Sequence, residues 1–335
     1  MSAAAATVRR WLVAVRNGVR SAAGYVAFRV TGSKPPWGVR GLRGLFTAHP
    51  DLPRRISRVT TMTHPSHLDT PVHGVLGVVD ARRRDAVVHA LQTDGFYVFP
   101  ERLDAGLVER LRSEGEALPR RASVEPGREA PLFDPAHLAS SRYWCDHDDL
   151  VDEPAVQELV TDPSIAALAD AYLRCDSVQC DVGLWQSVVF DEGSRDAASQ
   201  LFHSDRDHLQ FVKFFVYLSD VDADAGPHVF VRGSHRSRPV ALRRDIRYRD
   251  DDVAAHYAAR DIVELVGPRG TVIAVDTSGL HKGKPPVRGD RWIVEVEYSS
   301  SLYGPGGLPM RVHRSTDDFA ARVAARPWKY ARVSR

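Results

Sequence analysis

Six short apolar segments in the second half of the chain, separated by Gly, Pro and Asp turns, place the strongest limit on its fold. They cover residues 178–190, 210–218, 228–231, 262–266, 271–275 and 292–298. Strands of this length with tight turns between them build an antiparallel sandwich or small barrel, not a parallel α/β sheet. The first half reads differently. Helical periodicity covers 81–93, 103–118 and 153–173, the last interrupted at Asp162-Pro163, where an N-cap meets a first-turn proline. Asp94-Gly95 turns the first of these helices into a short apolar strand, 96–100. The expected fold class is mainly β with flanking helices.

The 335 residues allow one large domain or two ordinary ones, and a net charge of +2 gives no reason to expect nucleic acid as a partner. The charge is unevenly spread. Residues 1–50 contain no Asp or Glu, yet hold Arg9, Arg10, Arg16, Arg20, Arg29, Lys34, Arg40 and Arg43. On a helical period, Val8, Trp11, Leu12, Val15, Val19 and Val26 share one face, with arginines on the other. The simpler expectation is that this stripe packs on the body of the protein; peripheral membrane contact through residues 8–30 is the alternative. Residues 32–43, with Pro35-Pro36-Trp37-Gly38, read as a linker or extended arm. The chain thus divides into a basic N-terminal extension (1–80), a catalytic domain (81–305) and a C-terminal tail (306–335). Cys145, Cys175 and Cys180 are too few for a disulfide framework and lack zinc-site spacing, so a cytoplasmic setting is expected.

His203-Ser204-Asp205 brings chemistry to this frame. A His and a carboxylate at i and i+2 of an extended segment point to the same side. His281 lies 76 positions beyond Asp205, and Arg291 ten further on. A second His from a distant strand would complete a two-His, one-carboxylate face with three positions open, the arrangement non-haem Fe(II) oxygenases use. An arginine nearby could clamp the carboxylate of an α-keto acid through two parallel N–H bonds. Asp207 and His208 are near neighbours of the motif, but their spacing and parity set them off the ligand face. His235, after a Gly-Ser turn, reads as structural. Arg288 competes with Arg291 but sits in a Pro-Pro-Val-Arg-Gly loop, whereas Arg291 opens a strand. Gln186 is a further candidate contact of the co-substrate or substrate, with a satisfied core glutamine as the equal alternative. If Arg291 faces inward, so do Ile293, Glu295 and Glu297, while Lys213 either snorkels to the rim or meets an anionic group.

Taken together, the His-x-Asp, the Gly226-Pro227 turn followed by Gly233-Ser234-His235, His281 after a Gly-containing strand, and Arg291 resemble the phytanoyl-CoA dioxygenase family of Fe(II)- and 2-oxoglutarate-dependent oxygenases. Asp94-Gly95-Phe96 also suits that family, and the likeness covers roughly residues 85–300. It implies a double-stranded β-helix, with His203, Asp205 and His281 as catalytic metal ligands and Arg291 on the distal carboxylate of 2-oxoglutarate. Fe(II), 2-oxoglutarate and O2 would be the cofactors, with release of succinate and CO2. The retained Asp205 favours hydroxylation or desaturation over halogenation, since related halogenases carry a small residue there. The resemblance leaves the substrate as a small-molecule or lipid-like compound, which the arginine-rich insertion 236–249 could meet. Two other readings stand beside it: a non-catalytic membrane-associated or complex-forming protein on the same fold, and a cupin-type metal enzyme without 2-oxoglutarate, against which Arg291 speaks.

Overall fold

The acid-free start of the chain folds as helices. The computed structural model describes residues 3–66, 71–190, 199–305 and 309–334. Helix α1 (Ala3–Thr31) stops at Gly32, whose φ of 71° is left-handed and whose N–H reaches Phe28 O at 2.8 Å. Helices α2 (Pro36–Ala48) and α3 (Leu52–Thr60) follow, each with a proline in its first turn. The expected linker over 32–43 is therefore helical from Pro36 onward. Proline is tolerated there because a first-turn N–H has no partner within the helix anyway.

Glycines decide how α1 and α2 meet. A Cβ on Gly38 would fall 2.8 Å from Gly24 Cα, and one on Gly41 2.8 Å from Ser21 N. Only small residues permit so close an approach, so the buried face of α1 is Asn17, Ser21 and Gly24. The apolar stripe expected to pack on the body does not: Trp11 is 63% exposed and Val19 65%. Leu42 and Phe46 of α2 instead join Leu209, Phe211 and Tyr303 in a small core that seats the helices on the rest of the chain.

After a hairpin of β1 (Val72–Gly74) and β2 (Gly77–Val79) come α4 (Ala81–Thr93), β3 (Phe96–Arg102) and α5 (Ala105–Ala117). Asp80 and Asp104 cap the two helices by accepting from the N–H groups of Arg83 and Leu107. Next are β4 (Arg120–Ala122), β5 (Arg142–Cys145), a short α6 (His147–Leu150), α7 (Pro154–Val160) and α8 (Pro163–Leu173). The β-rich half runs β6 (Val178–Val188), β7 (Phe211–Tyr217), β8 (His228–Val231), α9 (Asp250–Ala254), β9 (Ile262–Leu265), β10 (Thr271–Val275), β11 (His281–Gly283) and β12 (Asp290–Ser299). β13 (Met310–Arg311), α10 (Asp317–Ala325) and β14 (Val333–Ser334) close the chain.

A seven-stranded antiparallel sheet, β3-β10-β7-β12-β6-β5-β4, faces a three-stranded sheet, β11-β8-β9. This is the jelly-roll core of a double-stranded β-helix. The period-two alternation of strand side chains sorts the large sheet into two layers. Val212, Phe214, Val216, Trp292, Val294 and Val296 pack outward against α4, α5, α7 and α8. Phe215, Tyr217, Trp185 and Ile293 point inward with Phe230 of the small sheet. Lys213 shares the inward parity, and so a cation enters the barrel.

A buried polar contact ties α3 to this core. Arg54 Nη2 donates to Asp276 Oδ2 at 2.8 Å and to the Tyr172 hydroxyl at 2.6 Å, and Tyr172 donates to the same carboxylate at 2.5 Å. Asp276 N in turn reaches Gly95 O at 2.8 Å. Gly95 has φ 92°, and a Cβ there would meet the Phe230 ring at 2.7 Å, so that position admits only glycine. Burial pushes the Asp276 carboxyl upward, but Arg54 reverses this and holds it below the usual carboxylate range. Arg54→Met leaves that carboxylate buried without its cation and is expected to cost about 3 kcal/mol in urea unfolding at neutral pH. The deficit shrinks as pH falls through the carboxylate range, because protonation removes the stranded charge.

Candidate metal centre and co-substrate cavity

Residues 201–205 and 277–281 lie edge to edge. His203 N donates to His281 O and His281 N to His203 O, both at 2.9 Å, and Asp205 N donates to Thr277 O at 2.9 Å. This backbone pairing delivers three side chains to one point: the ligand atoms of His203, Asp205 and His281 all lie within 4.8 Å of one another. His203 Nε2 is 3.7 Å from Asp205 Oδ1, and His281 Nε2 is 3.8 Å from Oδ2. The other ring nitrogens are engaged, His203 Nδ1 at 2.9 Å from Leu201 O and His281 Nδ1 at 3.1 Å from Gly279 O. A carbonyl can only accept, so Nδ1 carries the proton and each Nε2 lone pair is left facing the carboxylate. Burial lowers both imidazole pKa values and keeps the rings neutral, the state a metal ligand needs.

Lys213 sets the electrostatics beside them. Its Nζ is 3.1 Å from Asp205 Oδ2, 3.6 Å from Glu297, and 3.8 Å from both Asp207 and Glu295. One ammonium thus serves four carboxylates. Burial alone would raise the Asp205 carboxyl, but Lys213 drives it far below the usual range. Glu295 stands at the other extreme: burial pushes it up to about 7 despite Lys213. Asp205 is therefore the most acidic of the four.

The metal-facing atoms line a cavity of about 160 Å³, walled by Trp144, Trp185, Phe215 and Ile293. Arg291 enters it 4% exposed and donates from Nη2 to Ser187 Oγ at 3.1 Å. Its Nε and Nη1 have no hydrogen-bond partner among the described residues. Burial lowers its pKa to about 10. A Cβ on Gly283 would lie 3.2 Å from Nη2, so glycine leaves the room around the guanidinium. A buried cation with open N–H groups has the chemistry of a carboxylate receptor. Arg288, by contrast, is at the surface, paired with Asp222 and Asp224.

The structure does not bring Gln186 to this cavity. It stands on the opposite pleat of β6 and donates from Nε2 to Asp290 Oδ2 at 2.9 Å. Its neighbours Trp185 and Ser187 face inward instead, a one-residue difference of parity. Arg142, absent from the residues singled out in the sequence, lines the cavity too, stacked 4.7 Å from the Trp144 ring and bonded to Ser199 Oγ at 3.3 Å. Nothing local in Arg-Tyr-Trp-Cys marks it, because only the pairing of β5 with β6 places it there. His228 also lines the cavity, 5.3 Å from the His281 ring. His235 packs away from it, against Phe230.

A second trio, Cys180, His208 and Glu297, also has ligand atoms within 4.8 Å of one another. Burial there drives the Cys180 thiol and the Glu297 carboxyl upward, which favours their protonated forms over metal-binding ones. The first trio differs in opening onto space on two sides. Beyond the inner cavity, an outer one of about 580 Å³ shares His203 and Asp205 as its floor. Its walls include Arg43 of α2 and Asp245, Ile246 and Arg247 of the insertion before α9.

A jelly roll with two neutral histidines and an ionised aspartate converging at its open end defines the class of non-haem metal oxygenases. Among solved structures, the chain is similar to EctD from S. alaskensis in its apoform, at 18% identity and a TM-score of 0.50 over 75% of this chain and 88% of that one. It is also similar to AviO1 from Streptomyces viridochromogenes Tue57 (18% identity, TM-score 0.45, 68% of this chain and 100% of that one). A third is HygX from Streptomyces hygroscopicus with nickel, 2-oxoglutarate and hygromycin B bound (19%, 0.42, 70% and 93%). At 18% identity the likeness to EctD speaks to the fold alone. No curated protein matches in sequence. The family model of phytanoyl-CoA dioxygenase (PhyH) matches residues 91–288, more than half of the chain. The protein therefore belongs to the phytanoyl-CoA dioxygenase family, whose cofactors are Fe(II), 2-oxoglutarate and O2.

Two measurements probe this geometry. Arg291→Ala should weaken 2-oxoglutarate binding about 100-fold in titration calorimetry, the worth of two charge-assisted hydrogen bonds, with metal affinity retained. Stability should also depend on pH in a stated direction. His203, His208, His228, His235 and His281 are all buried with lowered pKa values, His208 to about 3. The unfolded chain takes up protons below pH 6.5 that the folded one refuses, so metal-free protein loses stability as pH falls from there. His208 alone accounts for about 2 kcal/mol of that loss by pH 5, read from urea midpoints.

Proposed function

We propose that the protein is an Fe(II)- and 2-oxoglutarate-dependent dioxygenase that hydroxylates a C–H bond of a hydrophilic small molecule. The observation that carries this reading is the pairing of the His203–Asp205–His281 trio with a buried, under-bonded Arg291 in one small cavity. His203, Asp205 and His281 hold the iron, and Arg291 with Ser187 holds the far carboxylate of 2-oxoglutarate. Bound together, iron, 2-oxoglutarate and O2 supply an oxidant strong enough to take hydrogen from an unactivated carbon, with succinate and CO2 as by-products.

The remaining roles belong to the chain itself. Lys213 keeps Asp205 ionised, and the Nδ1–H bonds to Leu201 and Gly279 fix the tautomer of each imidazole. Trp185, Phe215 and Ile293 exclude water from the co-substrate. The substrate approaches from the outer cavity. Arginines and aspartates dominate its walls, and Ile246 is the one apolar side chain among its described lining, which favours a polar substrate over an acyl chain.

Fe(II)-dependent conversion of 2-oxoglutarate to succinate, followed by NMR and stimulated more by hydrophilic compounds than by acyl ones, is the expected result. His281→Ala should abolish it. Folded protein that binds neither Fe(II) nor 2-oxoglutarate would overturn the reading, and metal-dependent turnover that ignores 2-oxoglutarate would favour a cupin-type enzyme.

A further inference from the structure

Helix α1 has two faces, and the structure uses only one of them. Asn17, Ser21 and Gly24 are buried against α2. The other face carries Val8 (58% exposed), Trp11 (63%), Leu12 (55%), Val15 (43%), Val19 (65%), Val26 (60%) and Val30 (79%). At 100° per residue these seven fall within an arc of about 100°, along roughly 33 Å of helix. Arg29, at the azimuth of Trp11, interrupts only its C-terminal end and lies over the Trp328 ring; an apolar stripe of that size on a folded protein marks a surface that meets something.

We propose that α1 lies in the plane of an anionic lipid bilayer, with this stripe in the acyl boundary. Charge complementarity identifies the occupant. Arg16 and Arg20, both exposed, border the stripe, and residues 1–50 contain no carboxylate. Anionic head groups supply the missing counter-charge. A second copy of the chain does not, since stripe-to-stripe packing would set Arg16 and Arg20 near their equals with no acid from that segment between them. Trp11 suits the boundary, where an indole buries its rings and keeps its N–H wet. The helix lies on the surface without crossing it: no helix among the described residues is long and apolar enough to span a membrane. The glycine seam with α2, together with Tyr25 and Phe28 packed on the Tyr303 ring, seats the inner face of the helix and leaves the valines, Trp11 and Leu12 of the outer face for the lipid.

Flotation of the full chain with vesicles tests this directly. The protein should float with phosphatidylcholine–phosphatidylglycerol vesicles at low salt, less at high salt, and little with phosphatidylcholine alone. Val15→Glu with Val19→Glu should lower the bound fraction at least about tenfold, from the lost burial of two side chains. Circular dichroism and 2-oxoglutarate binding should not change, because both positions are exposed. Arg16→Glu with Arg20→Glu should remove the preference for anionic lipid. The proposal is overturned if the wild-type protein stays unbound, or if it floats equally with the glutamate variant. It is also overturned if light scattering shows a dimer that Val19→Glu dissociates, which would assign the stripe to a second copy.

Discussion

Two reciprocal backbone hydrogen bonds between His203 and His281, each 2.9 Å, hold the rest of the site in register. They join segments that are 78 positions apart and face the two ring edges toward the same carboxylate. A slip of one residue on either side would turn a histidine out of the barrel. What the pairing fixes geometrically, Lys213 fixes electrostatically, since of the four acids around it Asp205 lies nearest and is held lowest. Backbone register and a single buried ammonium thus specify one ionised carboxylate between two neutral imidazoles.

The two cavities follow from the same pairing. His203 and Asp205 form a wall common to both, which under the proposed function would bring co-substrate and substrate to the metal from different sides. The inner space is small and sets aromatic walls beside buried charges, Arg142, Lys213, Arg291 and Glu295 among them. The outer space is larger and charged, and it borrows Arg43 from α2, outside the segment that matches the family. The N-terminal helices therefore contribute to the shape of the site as well as to the surface.

Much of this was legible in the sequence, because strand alternation and metal spacing are local signals. The strand 271–275 falls where its apolar run places it, and the inward set Arg291, Ile293 and Glu295 lines the cavity as pleat parity requires. Gln186, expected at the site from its strand and not from parity, is turned away to Asp290 by that same alternation, and Ser187 faces Arg291 instead. Arg142 was illegible for a different reason: its place depends on a strand pairing between residues more than forty apart. Glycines misled in the N-terminal segment. Residues 32–43 read as a linker or arm, but Gly38 and Gly41 within them let two helices touch, and the same seam leaves exposed a stripe that periodicity alone would bury.

The contact of Arg54 with Asp276 also bears on the order in which the protein is made. The two residues are 222 positions apart, and the arginine leaves the ribosome long before its partner. The three N-terminal helices must wait, with their glycine seam formed but Arg54 still in water, until the turn ahead of His281 has been synthesised. The Arg54–Asp276 contact and the trio with His281 therefore become possible within five residues of each other in a growing chain.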